Sequence, residues 1–252
     1  ILNILLLSTF ILSAQNATDK FIISEEIGGM FGGYAEVHFN QSIPMGQNVA
    51  SLDVHRLVWL MGYKFNDRTT FAAEIEFEHV KEVYVEQAFL NYTINDYISL
   101  KTGLILSPMG IINSYHEPPT FNGVERPNVD KYIIPSTWRE IGIGINGRLL
   151  DLNLSYQLYV MNGFNGYEDG GKFSGSSGLR GGRQKGAESF MSSPNFTGRI
   201  DYFGLENLKI GMAGYFGDSQ SIEFNNDSTI VGIMMMGADF RYLNKNLQIR
   251  GQ

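Results

Sequence analysis

Residues 69–79 run Thr69-Thr-Phe-Ala-Ala-Glu-Ile-Glu-Phe-Glu-His79, and the reading of this stretch decides the fold. In an extended strand, successive side chains point to opposite faces. Phe71, Ala73, Ile75 and Phe77 then share one face, and Thr70, Ala72, Glu74, Glu76 and Glu78 share the other. One side is apolar and the opposite side carries three carboxylates. Residues 141–149, 152–161 and 229–242 repeat the pattern, the last blurred at its start by Val231 and Ile233, and residues 52–65 and 83–94 follow it less cleanly. In full, ten segments read as strands: 33–40, 52–65, 69–79, 83–94, 97–106, 141–149, 152–161, 195–202, 208–216 and 229–242, with an eleventh starting at Leu247. Most are near the length of a tilted membrane strand, about 9–11 residues.

The connections fall into two classes. Residues 66–68, 95–96, 150–151, 203–207 and 243–246 are tight polar turns. Residues 41–50, 80–82, 107–140, 162–194 and 217–228 alternate with them and, apart from 80–82, are longer. Short turns on one side and long loops on the other are the pattern of an outer-membrane barrel. The expected fold is therefore all-β, a transmembrane antiparallel β-barrel. A soluble sandwich also alternates apolar and polar residues, but it would bury the apolar face and leave the glutamates to solvent.

The ends and the composition agree with export. Residues 1–14 form an apolar run ending in small residues, expected to be a signal peptide whose start is missing. A buried strand or helix is the alternative for that run. It is too short for a spanning helix, which needs about 20 apolar residues. Residues 15–31 are expected to be a periplasmic segment, and residues 32–252 a barrel cut short at its C-terminal end. The chain has no Cys, so disulfides and thiolate metal sites are excluded. A net charge of −7 speaks against nucleic acid as a partner.

The expected pore wall carries Glu74, Glu76, Glu78, Lys101, Arg148, Arg199 and Lys209, with Asp201 and Arg250 beside them. Arg or Lys facing lipid at mid-bilayer would cost about 2–4 kcal/mol, so these charges are placed on the water side. The glutamates read either as an acidic stripe or as a hydrated wall. Loop 107–140 contains five prolines and carries His116, Glu117, Glu125, Arg126, Asp130, Lys131, Arg139 and Glu140. A loop this long is expected to be functional, and folded inward it would narrow the pore. The alternative is an external lid. Loop 162–194 is rich in Gly and Ser and reads as mobile and solvated, or else as a basic mouth.

Some patterns resemble chemistry without its context. Gly142-Ile-Gly-Ile-Asn-Gly147 matches the dinucleotide fingerprint, which needs a strand before it and a helix after it. Here the glycines lie within one alternating strand and another strand follows. His38, His55, His79 and His116 show no metal-ligand spacing, so neither metal nor cofactor is expected. Ser99 or Ser155 would be needed for a barrel enzyme, and nothing beyond residue type supports one.

Between Gly32 and Gly163 the chain resembles the phosphate-selective porin O and P family, in the form common among Bacteroidota. The resemblance rests on Gly33-Tyr-Ala-Glu-Val37, Val85-Glu-Gln-Ala-Phe-Leu-Asn-Tyr92, Gly103-Leu-Ile-Leu-Ser-Pro-Met-Gly110, His116-Glu-Pro-Pro119 and Ile133-Ile-Pro-Ser-Thr-Trp-Arg-Glu-Ile-Gly142. It implies about 16–18 strands in a complete barrel, a homotrimer, and a third external loop folded into the pore. It also implies passive diffusion of small hydrophilic solutes or ions, anions and phosphate among them, with outer-membrane lipid as the surrounding partner and no catalysis. The family's lumenal arginine ladder is not matched, because cations here are sparse and mixed with carboxylates. The other readings are a barrel enzyme and a non-conducting barrel used for surface binding.

Overall fold

The computed structural model describes residues 18, 27–41, 50–114, 135–166, 172–222 and 230–252. Their strands are β1 (Gly28–Gln41), β2 (Ala50–Lys64), β3 (Thr69–Glu78), β4 (Glu82–Asn95), β5 (Ile98–Leu106), β6 (Arg139–Leu149), β7 (Leu154–Met161), β8 (Asn195–Leu205), β9 (Leu208–Asp218), β10 (Gly232–Asn244) and β11 (Leu247–Gly251). One short helix, α1 (Gly110–Ser114), follows β5. All eleven strands form one sheet in chain order, each antiparallel to the next. The all-β antiparallel expectation holds.

Several boundaries differ from the sequence reading. β1 begins at Gly28, so residues 28–31 belong to the sheet and not to the segment before it. Arg139 and Glu140, expected in the long loop, open β6. The turn after β6 is a single 3-10 turn, Leu150–Leu152, closed by Asn153 at φ 53°. Asparagine tolerates that left-handed conformation better than most residues. The expected signal at 1–14 lies outside the described residues.

Short turns are built by side chains that bond to their own backbone. Asn66 Oδ1 accepts from the amides of Arg68 and Thr69, both at 2.9 Å. Asn95 Oδ1 accepts from Tyr97 N at 2.9 Å and Ile98 N at 3.0 Å. This is the turn chemistry that made these positions legible.

The two faces of the sheet have inverted polarity. Phe31, Trp59, Ile143, Phe196, Met212 and Met236 stand exposed on one face, Met236 at 76%. On the other, Arg56, Glu74, Glu76, Asn91, Arg199, Asp201 and Asp239 are buried, Glu74 at 1%. A water-soluble sheet buries its apolar side instead. Two apolar clusters interrupt the polar face. Ala72, Phe89, Ile105, Tyr159 and Met161 form one. Met109, Trp138, Phe164, Ala213, Tyr215 and Ile233 form the other.

Besides register shifts beside the β4–β5 and β8–β9 turns, two β-bulges break the alternation within strands. Glu36 pairs with Arg56 and Val37 with Val54, leaving His55 as the extra residue of β2. Glu74 pairs with Gln87 and Ile75 with Val85, leaving Glu86 extra on β4. A bulge places two neighbouring residues on one face. Arg56 therefore joins Asp53 and His55 on the polar side, and Glu86 and Gln87 are both buried there.

Candidate functional site: the charged inner face and its loop

The second apolar cluster shows where the β5–β6 connection goes. Met109 and Trp138, from its two ends, pack with Ala213 and Tyr215 of β9 and Ile233 of β10. The Trp138 ring stacks on Phe164 at 4.4 Å and meets Tyr215 edge-on at 4.8 Å. Ile111 N of α1 donates to Gln252 Oε1 at 2.9 Å, after β11. Thus the described ends of this loop lie on the polar face and reach from β5 to the far strands.

Asn113 locks the two ends together. Its amide nitrogen donates to Ser107 O at 2.6 Å and Trp138 O at 2.8 Å, and its Oδ1 accepts from Trp138 N at 2.7 Å. It is fully buried. Of the expected constriction residues, His116, Glu117, Glu125, Arg126 and Lys131 lie outside the described residues. Arg139 is described and buried, and its Nη1 donates to Glu86 Oε2 at 2.9 Å. Glu140 accepts from Asn162 Nδ2 at 2.8 Å and from Gln184 N at 2.9 Å.

In its described residues, 162–166 and 172–194, the β7–β8 connection is not the solvated loop expected from its glycines. Arg180 Nη1 donates to Ser136 O at 2.9 Å, and Arg183 Nη1 to Ser136 O at 2.6 Å and Thr137 O at 3.1 Å. Gln184 bonds Gly163 O and both the amide and the carbonyl of Phe190. Its basic side chains brace the neighbouring loop. Lys185 lies 5.7 Å from the Tyr84 ring, and burial, followed by Arg183 and Arg139, holds its ammonium below the usual lysine range.

The expected wall residues fall into two groups. Lys101, Arg148, Arg199 and Lys209 line one cavity of about 320 Å³ with Asp96 and Asp201. Lys101 Nζ sits 4.3 Å over the Phe89 ring. Arg199 is the anchor. Its guanidinium grips Asp239 through two bonds, at 2.6 and 2.7 Å, and Asp201 Oδ1 at 2.7 and 3.0 Å. Lys209 Nζ adds a contact to Asp201 at 3.3 Å. Asp201, Gly211 and Asp239 form one row across β8, β9 and β10. A Cβ on Gly211 would stand 2.1 Å from Arg199 Nη2, so glycine leaves the space through which arginine crosses β9. Arg250 lies on β11 opposite Arg241.

The glutamates form the other group, away from this cavity. Gln87 Nε2 donates to Glu74 Oε2 at 2.8 Å. Arg56 stands 2.7 Å from Glu76, 2.9 Å from Glu36 and 4.0 Å from Glu78. The stripe is thus neutralised in part by an arginine from the next strand. Beyond it, His38 Nε2 meets Glu36 Oε1 at 2.6 Å. Asp53 Oδ2 meets His55 Nδ1 at 3.0 Å and His79 Nδ1 at 2.8 Å. The hydrogen bond to Asp53 raises the His79 imidazole above its ordinary range.

Sequence reasoning missed this histidine cluster because no local spacing announces it. The hairpin registers do. His55 and His79 stand at mirror positions one step beyond the Arg56–Glu78 pair. Ser99 and Ser155, considered above as nucleophiles, both line the cavity, whereas the described histidines gather on β1–β3. The Gly142–Gly147 run lies within β6 and leads into β7, with no helix to receive a phosphate.

No protein-family model matches the chain. A curated relative, an uncharacterized protein of Aquifex aeolicus (strain VF5), is 39% identical over 207 residues, covering 79% of this chain and 46% of the relative. The chain thus spans about half the length of the curated relative it matches. Two solved structures of a Vibrio cholerae outer membrane protein are similar at low identity. OmpT folded in vitro, in its trimer form, is 10% identical with a TM-score of 0.40, covering 88% of this chain and 76% of that one. A loop L8 deletion mutant of OmpT is 8% identical with a TM-score of 0.38, covering 86% and 77%.

Proposed function

We propose that this chain is the strand-bearing part of an outer-membrane porin, a passive channel for small hydrophilic solutes or ions. One observation carries the reading: the sheet exposes its apolar face and buries its charges. Lipid is the solvent that such an outer face fits. Exposed Tyr63, Phe65, Tyr92, Tyr97 and Tyr202 cluster near the short turns, where an interfacial girdle would sit. On the inner side, the described ends of the β5–β6 loop reach toward β9–β11, where an inward-folded loop would narrow the path. The cavity lining carries four basic side chains against two carboxylates, and Arg199 is already neutralised. Lys101 and Arg148 then set a modest preference for anions, phosphate among them. The resemblance to the porin O and P family agrees with this reading and extends it to a homotrimer.

The test is conductance. The full-length protein, reconstituted in planar bilayers, is expected to give stepwise ohmic currents, with a reversal potential displaced toward anions in a salt gradient. A folded protein that inserts yet passes no current would sink the channel reading. A protein that stays in the aqueous phase after detergent partition would sink the membrane reading as well.

A further inference from the structure

We infer that Asp53, His55 and His79 form a site for one divalent transition-metal ion of the zinc type, at the loop end of β2 and β3. The sequence gives no expectation of a metal here. The site follows from the geometry of β1–β3 and stands apart from transport.

The ligand set fits first. Imidazole nitrogen and carboxylate oxygen bind Zn²⁺ at about 2.0–2.2 Å, usually in a tetrahedral arrangement. Ligand atoms around such an ion lie about 3.3 Å apart. Asp53 Oδ2 is already 3.0 Å from His55 Nδ1 and 2.8 Å from His79 Nδ1. One ligand atom from each of the three residues lies within 4.8 Å of the others, so one ion can replace the protons that Asp53 now shares with the two rings. All three side chains are partly open to solvent, at 32%, 24% and 42%, which lets an ion enter and leaves room for a water as fourth ligand.

The surroundings fix the ligands. His38 stacks on His55 at 4.1 Å with the rings 9° from parallel, and Glu36 holds His38 from behind. A held ring stacked in parallel on His55 limits the rotation of its imidazole. His79 N donates to His55 O at 3.1 Å. His79 and Val80 have φ of 51° and 67°. A β-branched valine in the left-handed region is an outlier, and such conformations persist where the surroundings over-determine them. Here the turn that demands them is the one that aims His79 at Asp53.

A second triad, Glu36, His38 and His55, also has ligand spacing. It is the poorer site. Arg56 Nε lies 2.9 Å from Glu36 Oε2, and its positive charge opposes a cation there. His55 belongs to both groups, so one ion on Asp53 leaves His38 as support and not as a ligand.

The experiment is calorimetric titration of the purified, folded full-length protein with ZnCl₂ after chelator treatment. One saturable ion per chain is expected. His79→Gln and His55→Gln are each expected to weaken binding at least tenfold, and His38→Ala about tenfold through lost orientation. Cu²⁺ loaded in place of zinc should show electron-spin coupling to two imidazole nitrogens, falling to one in His79→Gln. His79 sits on an exposed turn, so that variant keeps the fold even if His55→Gln does not. Absence of saturable uptake, or unchanged affinity in His79→Gln, overturns the site. A lack of channel current leaves the result untouched, so failure of the transport reading and failure of this one are told apart.

Discussion

Strands β2–β4 and strands β8–β10 solve the same problem, a buried charge on a sheet, in two ways. In β8–β10 the alternation is unbroken through the charged row, and Arg199 bonds Asp201 on its own strand and reaches Asp239 across a glycine. In β2–β4 two bulges bring extra polar residues to the inner face, and Arg56 and the histidines crowd together there. Regular strands place charges singly and pair them across rows. Bulged strands place charges side by side and make clusters. The first arrangement favours a fixed electrostatic wall, and the second makes a site that can bind.

The sharpest way to break that contrast is to remove each arginine. Arg199→Met leaves Asp239 buried without its cation, at 6% exposure, and leaves Asp201, at 3%, with only the 3.3 Å contact to Lys209. Stripping one partner from such a network costs about 3–5 kcal/mol. Urea unfolding in detergent micelles should show that loss, and Arg199→Met combined with Asp239→Asn should recover part of it. Arg56→Met is expected to cost less, about 1–3 kcal/mol: Glu36 and Glu78, at 20% and 29% exposure, can turn to water, and of its three carboxylate partners only Glu76 stays buried. Equal losses in the two variants would erase the distinction between wall and cluster.

The loop gives the next effect. Asn113→Leu removes a buried side chain that makes three hydrogen bonds to Ser107 and Trp138. Orphaned backbone groups cost about 1–3 kcal/mol. On the porin reading, a loosened loop raises single-channel conductance while Arg199→Met, where it folds, changes selectivity more than conductance. The charge of the cavity is tested by Lys101→Glu with Arg148→Glu. Anion over cation permeability should fall several-fold in a bilayer salt gradient, since the lining's balance reverses.

What was legible in the sequence follows the same division. β3 and β8 were readable because, Ala72 apart, each inward residue is polar and each outward one is apolar or small. β10 blurred at Ile233, and the structure gives the reason: this inward apolar residue meets Met109 and Trp138 of a loop distant in sequence. β2 and β4 blurred because each carries a bulge, which a two-residue period cannot represent. The Arg199 row was legible only as a face, since its partner Asp239 lies forty residues away. The histidine cluster was invisible because three strands and two registers assemble it. Loop 162–194 misled because glycine was read as mobility, while Gly182 is there to admit Phe173, whose ring would stand 2.6 Å from a Cβ.

Glycine itself supplies the smallest test. On β6, a Cβ at Gly144 would lie 2.0 Å from Leu158 O and 2.7 Å from the Tyr159 ring. On β10, a Cβ at Gly237 meets nothing within 4 Å. Both glycines sit in regular strand, so local propensity treats them alike. Packing does not. Gly144→Ala must move the β7 backbone or the Tyr159 ring, and overpacking of that kind costs about 1–3 kcal/mol. Gly237→Ala instead narrows the unfolded ensemble and is expected to stabilise by up to about 0.4–1 kcal/mol. Micelle unfolding curves of opposite sign for the two alanines would show that close approach between β6 and β7, and not a general need for strand flexibility, selects glycine at position 144.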